Sequence, residues 1–357
     1  MRDSIIMYAG TYTNGESQGI YRLRIDPETG RITDPEVAAV MDNPSYFAIS
    51  KDALYTVAET DQFQHARGGA VASFRLDPAT GSLMNINVQP SGGCAPCHIC
   101  TDQLGRYVFA ANYRDGTVSM YPICPDGSIG KVLCVRKHTG SGPVKGRQEA
   151  AHAHFVTLTP DEKYLVAVDL GADMLFVYEV DIHNGDLIHR EDLSVKVASG
   201  SGPRHMAFHA SGKIAYLVNE LSSDIVVYHY QAGVFQQVQR ISALPADYTG
   251  ESTCAAIHLS KDSRFLYVSN RGHDSIAVFA IDPATGQLVF VEHASSEGSH
   301  PRDFTMDPSG SHLYIANQKS NRIVCKKIDQ ETGKLTPTNI AVELPSPVCL
   351  KIIECGV

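Results

Sequence analysis

Two phrases recur along this 357-residue chain about every fifty residues. A period of that length restricts a chain to solenoids, propellers and arrays. The first phrase is a turn: DPETG at 26–30, DPATG at 77–81, PDG at 125–127, DIHNG at 181–185, QAG at 231–233, DPATG at 282–286 and DQETG at 329–333. From Asp26 to Asp329 six intervals cover 303 residues. Every copy but QAG pairs Asp or Pro with a Gly able to take positive φ, the chemistry of a tight link between strands.

The second phrase is an alternating strand, a turn with Asp or Gly, and a strand ending in a polar residue. Examples are PCHICTDQLGRYVFAAN (96–112), PRHMAFHASGKIAYLVNE (203–220) and PRDFTMDPSGSHLYIAN (301–317). A third strand follows each, such as MLFVYEV or SIAVFAI. These runs are short and rich in Val, Ile, Tyr and Phe, and helical periodicity is nearly absent. Four short strands per unit and seven units predict an all-β, seven-bladed β-propeller forming one domain over residues 1–357. The chain begins with two strands resembling the second and third of a unit (IMYAGTYT, GIYRLRID) and ends with PVCLKII, resembling a first strand. Pairing them in one blade closes the ring and hides two sheet edges. Without Trp, the propeller version marked by a Trp-Asp dipeptide is excluded.

Composition narrows the functions. Charged residues are 19% of the chain, low for long solvated helices. The formal charge of -9 excludes an electrostatic nucleic-acid binder at the level of the whole chain. No apolar run approaches the roughly 18 residues of a membrane-spanning helix. The N-terminal stretch lacks the pattern of a signal peptide, and nine scattered Cys read as reduced thiols, so a cytoplasmic location is expected. Cys94, Cys97 and His98 spell the haem-attachment pattern C-x-x-C-H, with Cys100 beyond. The segment lies in register with the other repeats, and alternate strand residues face opposite ways, so neither haem nor zinc is expected there.

In a propeller the inner strands converge on a central channel, where departures from the repeat average point to function. The position before the inner strand carries Ser45, Cys97, His152 with His154, Arg204 with His205, and Arg302 with Asp303. The position ending the next strand carries Glu59, Asn112, Asp169, Glu220, Asn270 and Asn317. Asn at strand ends hydrogen-bonds local backbone; Glu is a poor turn residue and costly to bury unpaired. Arg204 and Glu220 are 16 residues apart at matching points of one unit, placing them face to face across a hairpin. The long loop 138–150 carries Lys145 and Arg147, a candidate anion-binding lid or simply a solvated loop. His152 and His154 have metal-ligand spacing but no third ligand nearby. No metal or other cofactor is expected.

The phrases GPRHMAFH (202–209), YLVNELSSDIVVY (216–228), STCAAIHLSKDSRFLYVSNRGHDSIAVF (252–279) and HPRDFTMDPSG (300–310) resemble the propeller-type lactonase family. That family includes bacterial 6-phosphogluconolactonases and fungal 3-carboxy-cis,cis-muconate lactonising enzymes. The resemblance covers essentially the whole chain. It implies a channel site of a His, two Arg and a Glu, matching His154, Arg204, Glu220 and Arg271. It implies metal-independent opening of a small anionic lactone, a sugar-phosphate lactone first, with muconate lactonisation or another lactone as alternatives. Arg147, His205 and Arg302 are then candidates for binding the substrate. Glu220 or His154 is the candidate general base, and Arg204 the oxyanion stabiliser. A non-catalytic propeller scaffold is the reading from a different class.

Overall fold

The computed structural model describes residues 5–354, and every regular element in that span is a β-strand. Seven antiparallel sheets of four main strands stand around a ring. Blade 5 is typical: Pro203–Phe208 lies innermost, followed by Ile214–Asn219, Asp224–Gln231 and Val234–Ser242. The other innermost strands start at Phe47, Pro96, Ala153, Thr253, Pro301 and Pro347. Blade 4 adds a short fifth strand, Val195–Lys196, and a two-stranded ribbon (Gln62–Phe63 with Ala66–Arg67) projects from blade 2.

Blade 1 is built from both ends of the chain, as the sequence predicts. Pro347–Glu354 supplies its innermost strand and pairs with Ile5–Thr11, running from Ile5 opposite Glu354 to Ala9 opposite Leu350. Gly19–Ile25 and Glu36–Val40 complete it.

Burial explains why the strands differ. Second strands such as Ile214–Asn219 (IAYLVN) are covered on both faces by neighbouring blades and are nearly all apolar. Outer strands such as Leu335–Glu343 (LTPTNIAVE) have one wet face and mix polar with apolar residues. The core is divided into clusters between blades. Phe109, Val156 and Leu165 pack blade 3 on blade 4, and Tyr216, Val268 and Phe279 pack blade 5 on blade 6.

The repeated turn has a second job. Asp77, Asp282 and Asp329 each accept backbone N–H bonds within their own turn through Oδ1, while the glycine four residues on holds φ near +70°. That glycine's carbonyl then accepts a hydroxyl from the preceding blade. Tyr8 donates to Gly81 (2.8 Å), Tyr216 to Gly286 (3.0 Å), Tyr267 to Gly333 (3.0 Å) and Tyr314 to Gly30 (3.3 Å). One phrase therefore folds its own hairpin and fastens it to the neighbouring blade.

Candidate active site

A β-bulge at the head of the innermost strands determines what enters the channel. The register shifts between Pro96 and His98, Ala153 and Phe155, Pro203 and His205, Cys254 and Ile257, and Pro301 and Asp303. The extra residue re-aims a side chain. The corresponding residues are Ser45, Cys97, His154, Arg204, Ala255, Arg302 and Val348, one per blade. His152 is not among them: its ring stacks on Tyr113 at 4.6 Å and its Nδ1 lies 2.9 Å from the Tyr113 carbonyl.

The register also corrects the alignment of Glu220. Pro203 pairs with Asn219, as Pro96 pairs with Asn112 and Pro301 with Asn317. Asn219 is thus the repeat residue, and Glu220 stands one step beyond. Glu59, Tyr113, Glu220 and Gln318 share that step, each donating its backbone N–H to the loop before the inner strand. Tyr12 and Arg271 hold it in their blades. The strand-end amides have the structural role expected of them. Asn112 donates to the Ser91 carbonyl, Asn270 to that of Ala243 and Asn317 to that of Ser296.

These two tiers bring the charged residues together. The Glu220 carboxylate, 3% exposed, has Arg204 Nε at 3.0 Å and Arg271 Nη2 at 2.9 Å from Oε2, while Arg147 Nη2 holds Oε1. Arg204 Nη1 also donates to the Ala255 carbonyl (2.6 Å), and Arg271 Nη2 to that of Cys254 (2.8 Å). Arg147 reaches Glu220 from the loop that follows Lys137, while Lys145 stays exposed. Burial pushes the Glu220 carboxyl up, but Arg271, Arg204 and Arg147 outweigh it and hold it well below the usual carboxylate range.

His154 sits beside this cluster, buried, its ring against those of Tyr113 and His205. Burial, and then the charge of Arg204, keep it neutral, well below the ordinary histidine value. Its Nδ1 and the Nε of Arg271 are buried without hydrogen-bond partners among the described residues. Such groups are rare in folded proteins and mark places built for something else to bind.

Arg302 does not join Glu220. It donates to Tyr12 Oη at 2.6 Å and lies over the Tyr12 ring, and Tyr12 Oη is 3.1 Å from both Glu59 carboxylate oxygens. Burial raises the Glu59 carboxyl despite Arg302. Sequence reasoning missed Tyr12, and it took Glu59 only as a strand end. The signal for Glu59 was available, a second Glu at the same step as Glu220.

His205 takes a different place from a residue that faces substrate. Its Nε2 lies 3.2 Å from Arg204 Nη1, and its ring packs with Tyr46, His98 and Phe155 across the channel. Centroid separations of 4.0 Å for Tyr46–His98 and His98–Phe155 and 5.0 Å for Phe155–His205 make these four rings a floor below the arginines. Cys94, Cys97 and Cys100 do not converge. Among the described residues no group of three or more His, Cys, Asp or Glu is arranged to hold a metal ion.

Fold and site together define a β-propeller whose charged groups gather in one mouth of its channel. The chain belongs to the family described as "Lactonase, 7-bladed beta-propeller", whose sequence model matches residues 6–352. It is 42% identical to a 6-phosphogluconolactonase of Bacillus subtilis (strain 168), with 98% of each chain covered. A 6-phosphogluconolactonase of Formosa agariphila is 36% identical over 92% of this chain and 94% of the relative. Among solved structures, a periplasmic gluconolactonase of Pseudomonas aeruginosa superposes with a TM-score of 0.94 at 37% identity, covering 99% of this chain and 100% of that one.

Proposed function

We propose that the protein hydrolyses a sugar-phosphate lactone, 6-phosphogluconolactone first, in the arginine-lined mouth, with His154, Arg204, Glu220 and Arg271 as its working residues. The names of the full-length relatives support the substrate class. The observation that carries the mechanism is the clamp of three guanidinium groups on Glu220. A carboxylate so strongly stabilised is a weak base, so Glu220 orients the arginines and His154 takes the proton from water. Arg204 and Arg271 face the lactone carbonyl and stabilise the oxyanion formed when water adds. Collapse then opens the ring, and the former ring oxygen takes the proton back from His154 and leaves as a hydroxyl. Arg147, on a loop and about one-third exposed, holds the phosphate at the rim, and Arg302 of blade 7, fixed by Tyr12, adds a second positive charge. His205 acts as a positioning residue for Arg204. We propose the cytoplasm as the compartment, because all eight described cysteines are free thiols.

The test is the decay of 6-phosphogluconolactone with protein treated with EDTA. Acceleration over spontaneous opening is expected, and Arg204→Ala should lower kcat/KM about 100-fold or more while melting remains cooperative. No acceleration by the wild-type protein defeats the proposal. Consumption of muconate, followed by its ultraviolet absorbance, would move the assignment to lactonisation.

A further inference from the structure

Below the four-ring floor the channel opens again at the opposite mouth. Two residues further along the innermost strands, five blades carry Ala48, Cys100, Thr157, Ala207 and Thr305. The other two carry His258 and Lys351. Ala48, Cys100, Thr157 and Ala207 line a cavity of about 480 Å³, within the range of small-molecule sites. Its walls include Tyr46, His98, Phe155, His205, His258 and Lys351, and none of His154, Arg204 or Glu220, so it ends at the floor.

Lys351 is the full cation of this cavity. Its ammonium lies 4.9 Å from the centroid of the Tyr46 ring, and no carboxylate is within ion-pair distance among the described residues. The nearby Asp303 is already engaged: its Oδ1 meets His258 Nε2 at 3.2 Å and its Oδ2 accepts the Leu350 N–H at 2.9 Å. Burial first, and then the charges of Lys351 and Arg204, keep His98 neutral. A half-buried ammonium short of a counter-ion, set over the Tyr46 ring, and a floor of rings tilted by 40° and 44° to their neighbours thus share one concave space. One positive charge suits a monoanion better than a phosphate dianion, and the rings suit a planar body.

We propose that this mouth is a second binding site, separate from the arginine cluster, for a small planar monocarboxylate. Its carboxylate rests on Lys351, beside the Tyr46 ring, and its flat body packs against the rings of His98 and Phe155.

Calorimetric titration with benzoate tests this. Wild-type protein should saturate at one benzoate per chain, and Lys351→Met should weaken binding about tenfold or more while leaving lactone turnover unchanged. Inorganic phosphate should bind this mouth more weakly than benzoate does. In unmutated protein, benzoate should slow amine-directed labelling of Lys351, read by mass spectrometry. The proposal is overturned if millimolar benzoate shows no saturation or fails to protect Lys351. It is also overturned if Lys351→Met binds benzoate normally while Arg271→Ala does not, which would put the ligand in the other mouth. Phosphate binding Lys351 as tightly as benzoate would overturn the planar ligand class.

Discussion

Three guanidinium groups on one buried carboxylate leave Glu220 little basicity, and they make it hard to replace. Glu220→Gln keeps the shape but leaves Arg204 and Arg271 uncompensated, which should cost about 3–5 kcal/mol in denaturant unfolding. Arg147→Met, at the rim, should cost about 1 kcal/mol or less while raising KM for the phosphorylated lactone. The proton-transfer assignment carries its own signature. His154 acts as a base only when neutral, and burial with Arg204 disfavours its imidazolium. The rate should therefore persist as pH falls through the ordinary histidine range near 6.5 and decline only in stronger acid. A kcat/KM profile with its acid limb at or above that value would exclude His154. Much of this site was legible at the residue scale. Sixteen residues between Arg204 and Glu220 are one hairpin, and a Glu where a turn residue belongs signals a partner. His205 was not, because a bulge cannot be read from alternation: it changes which way Arg204 and His205 face without changing the sequence pattern.

The turn phrase was legible as a turn from its Asp and Gly. Its second role was hidden, because the partner tyrosine lies about 70 residues away in the preceding blade. That bond is open to measurement. Tyr267→Phe removes only the hydroxyl that Gly333 accepts, and should lower unfolding free energy by about 1 kcal/mol with lactone turnover intact. Asn317→Ala should cost about 1–3 kcal/mol, because it strands the buried Ser296 carbonyl as well as removing a bond. A variant as stable as the wild type in urea titrations would mean that its bond is not used as described. The strand-end register was misread for a related reason. YLVNE and YVFAAN end in similar polar residues, and only the pairing of Pro203 with Asn219 shows that Glu220 lies outside the repeat position.

At the scale of the whole ring, the complementary chain ends were the clearest signal in the sequence, and pairing of Ile5–Thr11 with Pro347–Glu354 bears it out. Deleting residues 347–357 should expose the Ile5–Thr11 edge, abolish cooperative melting by circular dichroism and promote aggregation. The four-ring floor has a kinetic consequence. In the mechanism proposed above, substrate enters at the arginine-lined mouth, and because the opposite cavity ends at the ring floor, product leaves the way substrate came. Opening a lactone creates a carboxylate, so the product carries one more negative charge than the substrate, among four arginines and only two glutamates. On that proposal the hydroxy acid is held by the groups assigned to the lactone, and it blocks the next molecule until it escapes.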